Sequence, residues 1–402
     1  MRLSDGYKLS EIGVIPIDWE VKTLGSLTTL LTNGFVGTAT TAYVDDDDGI
    51  LYVQGYNIEK NSFNFNGIKR VSKEFHAKNN KSCLKAGDLL TIQTGDVGVT
   101  TVVPPDLAGA NCHALIISRF RLQESDPFFY SQYFNSEQGR AAFKVIETGT
   151  TMKHLNGGDM KRIFVPVPPF KEQQAIAKAL SDIDELLATI ENAIAKKRDL
   201  KQAVMEKLLT GEARLPNFKS SWETKSIVQL CKINKGQLIT TKTLIPGNIP
   251  VIAGGKQPAY FHSSPNRFGK TITISASGAS AGYIALHQTP IFASDCSTIE
   301  DSADYCLEFI YYSLLLKQES IYAAQTGGAQ PHVNAKDIYP LLIALPTDIS
   351  EQKAIAAVLS DMDLEIFTLE EHRQKTSQIK LAMMQELLTG KTRLVNKEHS
   401  NA

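Results

Sequence analysis

A chain of 402 residues with 43% hydrophobic and 21% charged side chains has the make-up of an ordinary globular protein of roughly two or three domains. Its 42 Lys and Arg against 43 Asp and Glu exclude a generally basic nucleic-acid binder, so any contact with DNA must come from locally focused groups or from a partner. Five cysteines with no C-x-x-C pair argue against a disulfide frame or a zinc knuckle and for a reducing cytoplasm, while the polar N-terminus and the lack of any run of about 18 apolar residues predict neither secretion nor a membrane span.

In chain order, "DWEVKTLGSL" from Asp18 opens a globular segment. "AGDLLTIQTGDVG" from Ala86 reads as a buried strand followed by a Gly-rich turn. "TGTTMKHLNGGDMKRIFVPVPP" from Thr148 is a glycine-punctuated loop crowded with hydrogen-bonding side chains. Pro168 and Pro169 then precede a helix expected over 171–209, about 57 Å long at 1.5 Å per residue. No Gly or Pro interrupts it before Gly211, which stands where a helix C-cap wants positive φ. Ile176, Leu180, Ile183, Leu187, Ile190 and Ile194 step by four and three, the seam of a coiled coil. The seam lapses at Lys197 and resumes one position out of phase at Leu200, Val204 and Leu208.

The pattern then starts again. "SWETKSIVQL" from Ser221 matches the segment at Asp18, "FGKTITISASGASAG" from Phe268 is a faint counterpart of the strand at Ala86, and "TGGAQPHVNAKDIYPLLIALPT" from Thr326 answers the loop at Thr148. After Pro346, with Ser350 expected as N-cap, a second long helix carries a seam of Ile355, Leu359, Met362, Ile366 and Leu369. It lapses at Arg373, resumes at Ile379, Met383 and Leu387, and stops at Gly390. The stretch from Glu172 to Leu215 and that from Glu351 to Leu394 align without gaps, with about 21 of 44 positions identical. They end on "LLTGEARL" and "LLTGKTRL".

The expected fold is therefore α+β: two globular α/β domains separated by two long helices, paired as an antiparallel coiled coil in a pseudo-two-fold internal repeat. The expected boundaries are a first domain over 1–170, a helix over 171–211, a second domain over 212–349, a helix over 350–394 and a tail over 395–402. The competing reading is that each helix merely covers its own domain. Between the shared framework segments the two domains differ widely, as two copies of a reader tuned to different targets would.

Catalytic motifs are absent. "FGKT" at 268–271 and "TGKT" at 389–392 suggest a phosphate-binding loop, but Ser264 and Gln385 stand where its first Gly belongs. "DDDDGI" at Asp45 fails as a calcium loop, since the register that uses Gly49 puts Val44 and Gly55 at ligand positions. No G-x-S-x-G, H-E-x-x-H or G-x-G-x-x-G occurs, nor the Asn/Asp-Pro-Pro-aromatic tetrapeptide of an amino-methyltransferase. Cys112 and His113, being adjacent, are poorly placed to converge as nucleophile and base.

"EIGVIPIDWEVKTLG" at Glu11, "IFVPVPPFKEQQAIAKAL" at Ile163, "LLTGEARLPNFKSSWE" at Leu208 and the second "EQKAIAAVLSDMD…LLTGKTRL" resemble the specificity subunit of type I restriction-modification systems. The resemblance covers the whole chain and is most specific in the helical repeats. It implies a non-catalytic, cytoplasmic DNA-binding subunit whose two domains each read half of a bipartite site in double-stranded DNA. It implies that the helices set the unread spacer and dock two modification (methyltransferase) subunits, with ATP-dependent restriction subunits joining for cleavage. No cofactor is then expected in this chain, S-adenosylmethionine and ATP with Mg being held by the partners. The other classes left open are a protein-binding scaffold and an enzyme with unrecognised motifs.

The doubled loops supply the first candidate DNA-binding residues: Thr148, Gly149, Thr150, Thr151, Lys153, His154 and Asn156, with Thr326, Gly327, Gly328, Gln330, His332 and Asn334. Glycines allow close backbone approach, and hydroxyl, amide and imidazole groups can meet phosphates or base edges. The plainer reading makes Asn156 and Asn334 helix caps. A second set follows the expected strands: Gln93, Thr94, Asp96 and Thr100, then Ser275, Ser277 and Ser280. Lys69 with Arg70 and Lys161 with Arg162 are candidate phosphate contacts, although exposed basic pairs are usually just solvated. Residues 1–171 hold 18 basic and 18 acidic groups, and 211–350 hold 11 and 10, so the chain alone is expected to bind DNA weakly.

Overall fold

The structure is a computed structural model that describes residues 5–45, 47–149, 153–327 and 330–394. It divides into two units: residues 1–190 with 372–402, and residues 191–371. Each unit therefore takes parts of both long helices.

In the first unit a four-stranded antiparallel sheet runs in the order Thr100–Val102, Leu89–Ile92, Leu115–Phe120, Thr28–Asn33. The central strands are apolar and β-branched on both faces because both faces are covered, so Leu89, Leu90, Ile116 and Ile117 are all buried. A smaller sheet joins Asn111–Cys112 in parallel to Ile50–Val53, which pairs antiparallel with Lys69–Val71. A two-stranded ladder ties Glu20–Thr23 to Phe164–Val167, closing the unit just before the first long helix.

The second unit repeats this plan. Its four-stranded sheet orders Asn234–Lys235, Cys296–Glu300, Thr271–Ser275, Ile284–His287. Its smaller sheet joins Phe292–Ala293 in parallel to Pro246–Ile252, with Tyr260–His262 antiparallel on the other side. Trp222–Ser226 pairs with Leu342–Pro346 before the second long helix. The segments at Asp18 and Ser221 thus open equivalent ladders, as their sequences suggest.

The long helices span Phe170–Thr210 and Ile349–Leu387. Within each unit the helical segments lie antiparallel. In the first, Asp184 meets Lys380 and Glu172 meets Arg393. In the second, Lys201 meets Asp363, Lys197 meets Glu365 and Arg198 meets Glu370. Ile176, Leu180, Met384 and Leu387 enter the core of one unit, and Met205, Leu208, Ile355 and Leu359 that of the other. Burying each such side chain contributes about 1.5–3 kcal/mol.

Two expectations need correction. Leu200 and Ile379 do not resume the seam, being 52% and 44% exposed. At this level the facing groups are ionic, Lys201 with Asp363 and Lys380 with Asp184, and the apolar contact passes to Met205 and Met384. Ser350 is not the N-cap of the second helix. Asp348 is, because its carboxylate accepts the Ser350 backbone N–H at 2.8 Å one residue before the helix begins at Ile349.

Both helices end on a positive-φ glycine, Gly211 at 76° and Gly390 at 72°. A Cβ would sit 3.1 Å from the Trp222 ring at the first and 2.4 Å from Pro16 at the second. The residues after each glycine explain the rest of the duplicated ending. Arg214 grips Glu351 at 2.6 and 2.7 Å, and Arg393 grips Glu172 at 2.5 and 2.7 Å. Each guanidinium lies over a tryptophan, Trp222 at 5.5 Å and Trp19 at 5.9 Å. The Arg that ends one helix thus neutralises the buried Glu that starts the other. The neighbouring Gln173 and Gln352 accept backbone N–H groups of Asp126 and Cys306, both at 2.9 Å, and donate to Pro168 and Pro346 carbonyls, both at 2.9 Å.

Candidate functional site

The two sets of candidate residues converge. In the first unit the strand Leu89–Ile92 runs out into the turn 93–98, where Thr94 bridges to His154. Thr148 and His154 close their loop with reciprocal backbone hydrogen bonds of 3.0 and 2.9 Å. Leu155 then donates to the Gln93 carbonyl at 3.0 Å, pinning loop to strand end. The His154 ring stands between two side chains: Gln93 Nε2 at 3.0 Å from Nε2, and Thr94 Oγ1 at 3.0 Å from Nδ1. The ring is thus held from both sides, between an amide and a hydroxyl. Thr94 is exposed.

The second unit builds the same frame. Thr326 and His332 close their loop with hydrogen bonds of 3.0 and 2.8 Å, and Val333 donates to the Ala276 carbonyl at 3.0 Å. Ser277 bridges to His332 as Thr94 does to His154. The side chains differ. His332 is exposed, and the Ser277 hydroxyl turns away to the Asp295 carboxylate. Asp295 lies in the link between Phe292–Ala293 and Cys296–Glu300. The equivalent link in the first unit is fixed by His113 donating to the Val53 carbonyl at 2.8 Å, as Ser294 donates to the Ile252 carbonyl at 2.7 Å here, which makes Ala114 the counterpart of Asp295. Lys256 is exposed nearby, 5.4 Å from the Tyr283 ring centre.

Other candidates fall outside these clusters or inside the protein. Thr100 is fully buried and donates to the Ser131 carbonyl at 3.2 Å, and Ser275, 3% exposed, donates to Gly254 O at 2.9 Å. Both hydroxyls are struts and present nothing at the surface. Asn156 accepts the Gly158 N–H at 2.9 Å and Asn334 forms a capping box with Asp337, so each side chain is engaged as a helix cap. Gly149 and Gln330 are exposed in the doubled loops, as are Thr148, Thr326 and Gly327. Asp96 is exposed at the tip of the 93–98 turn and Ser280 is half-buried in the equivalent turn. Thr150, Thr151 and Gly328 lie outside the described residues.

The basic pairs are divided. Lys153 pairs with Glu147 at 3.0 Å and Arg162 with Asp159. Arg70 donates to the Gly49 carbonyl at 2.8 Å, while Lys69 and Lys161 are exposed. Sequence reasoning missed Asp295 and Lys256, because only strand pairing brings residue 295 to the turn at 277. Among the described residues no group of three or more His, Cys, Asp or Glu could hold a metal. Burial lowers the basicity of His113 and His287 and pushes the thiols of Cys231 and Cys296 up to about 12, so these groups are uncharged packing elements.

The family model of the type I restriction modification DNA specificity domain matches the chain twice, over residues 16–197 and 219–381. A putative type I restriction enzyme specificity subunit from Methanocaldococcus jannaschii is 25% identical over 97% of this chain and 97% of its own length. A putative type I specificity subunit from Mycoplasma pneumoniae is 31% identical over 39% of this chain and 42% of its own length. Among solved structures, the type I restriction-modification S subunit from M. genitalium has a similar fold, with a TM-score of 0.67 at 19% identity over 96% of this chain and 98% of that one.

Proposed function

Since this chain belongs to the type I restriction-modification DNA specificity family, we propose that its two loop clusters are the places where it touches bipartite double-stranded DNA. It is the non-catalytic DNA-recognition subunit of such a system. The observation that carries the site assignment is the doubled frame: the same strand-end turn and the same histidine-closed loop occur in both units, with different polar side chains mounted on each. A shared scaffold with divergent donors and acceptors is what two readers of different half-sites require.

The groups assigned to contact are Thr94, Asp96, Thr148, Gly149 and His154 in the first unit, and Thr326, Gly327, Gln330 and His332 in the second. Lys69, Lys161 and Lys256 serve phosphates. The long helices set the spacer and dock the partners, two adenine-modifying subunits that carry S-adenosylmethionine, joined by ATP-dependent restriction subunits for cleavage. The chain itself holds no cofactor. No described helix is long and apolar enough to cross a membrane, and the work is cytoplasmic.

The test is DNA binding by the complex with its modification subunits. Thr94→Val with His154→Ala weakens binding to the cognate site by roughly tenfold and leaves non-specific binding unchanged. Equal loss on cognate and random DNA would assign this cluster to phosphate contact, and no loss would remove it from the interface.

A further inference from the structure

The two clusters differ at their base in what the strand-end hydroxyl meets, an imidazole in one and a carboxylate in the other. In the first unit the strand-end hydroxyl, Thr94, hydrogen-bonds to Nδ1 of the His154 ring at 3.0 Å. In the second the equivalent hydroxyl, Ser277, donates to the Asp295 carboxylate and has no hydrogen left to offer. The residue in the neighbouring link is Ala114 in one unit and Asp295 in the other, so the carboxylate belongs to the second reader alone at this position.

A carboxylate at a surface that meets a polyanion needs a reason. Asp295 is half-buried, its backbone carbonyl accepts the Ala276 N–H at 3.2 Å, and its side chain forms no ion pair with any described residue. Phosphate would be repelled by it. The DNA groups that suit it are exocyclic amines in the major groove, and the amine that a lone carboxylate reads best is cytosine N4. The Ser277 hydroxyl holds one carboxylate oxygen and leaves the other with its lone pairs free, so the acceptor is oriented before DNA arrives.

Resting on the assignment of this loop cluster to DNA, we propose that Asp295 is a specificity-determining residue of the second unit, accepting from the N4 amine of a cytosine in that unit's half-site. Ser277 is its positioning residue. The first unit, with Ala114 at the equivalent place, reads no base through this position.

The experiment maps the methylated motif of the complete complex, formed with its modification subunits, for wild type, Asp295→Asn and Ser277→Ala. Asn keeps the shape but adds a donor face that suits adenine N6 and N7. Asp295→Asn should change one base position in one half-site, with the preference for cytosine falling by roughly tenfold and adenine admitted, while the other half-site and the spacer stay as in wild type. Ser277→Ala should loosen the same position without creating a new preference, and this variant decides the matter if Asp295→Asn does not assemble. An unchanged motif in both variants overturns the proposal. So does a uniform loss of methylation across all sites in variants that still assemble, or a change in the other half-site. A wild-type complex that methylates no bipartite motif would instead refute the assignment of this chain's clusters to DNA.

Discussion

At the scale of single residues the strongest interactions lie away from the readers, where Arg214 and Arg393 meet carboxylates with no exposed surface. Removing one partner of a buried pair strands the other charge, which costs about 3–5 kcal/mol. Arg393→Ala and Arg214→Ala should therefore lower the unfolding free energy by that order in denaturant titrations. Arg→Lys should recover only part, because the two-pronged grip and the stacking on Trp19 or Trp222 need a planar guanidinium. By contrast Lys178→Ala removes an exposed helical pair with Asp182 and should leave stability nearly unchanged. The Glu351 carboxyl adds a pH dependence. Burial alone would raise its pKa, but hydrogen bonds from Arg214 and Ser220 outweigh this and hold it below the usual glutamate range. A depressed carboxylate contributes stability that is fully present above its unfolded value and is lost as pH falls through the folded one. Acid titration of unfolding should show this loss below the ordinary glutamate range, and Glu351→Gln should flatten the slope there.

Among the elements, the long helices show how far a sequence alone can be read. Their periodicity, length and terminal glycines are local properties, so Phe170–Thr210 lies close to the expected span and Ile349–Leu387 begins where expected, though it ends before residue 394. The second half of each seam was not legible, because exposure of Leu200 and Ile379 depends on which groups the facing helix presents. The site was half legible. The doubled loops stand out as repeats, but that Gln93 and Thr94 hold His154 follows from a fold that joins positions about sixty residues apart. Asp295 carried no motif at all. The glycine stops give a sharper local test. Gly390→Ala combines positive φ with a Cβ at 2.4 Å from Pro16 and should destabilise by about 1–3 kcal/mol or more, whereas Gly211→Ala, facing the Trp222 ring at 3.1 Å, should cost less. Thermal melts of the two variants, compared side by side, check the order.

For the whole molecule, near-neutral charge and a spacer made of helix define the expected behaviour. A chain with net charge -1 has few unbalanced cations with which to neutralise phosphates. Alone it should bind DNA weakly, with most affinity and most salt dependence appearing when modification subunits join. A tight gel shift by the isolated chain at moderate salt would contradict this. Seven residues inserted in each long helix, between Ile190 and Glu191 and between Glu371 and His372, add about 10 Å and keep the seam nearly in phase. The unread spacer should lengthen by about 3 base pairs while both half-sites are kept. The most direct test of the central claim is a map of methylated adenines in cells that carry the modification subunit with and without this chain. The expected result is one bipartite motif, two short specified parts around a fixed unread spacer, that appears only when the chain is present. Methylation at a continuous motif, or at the same motif without the chain, would contradict it.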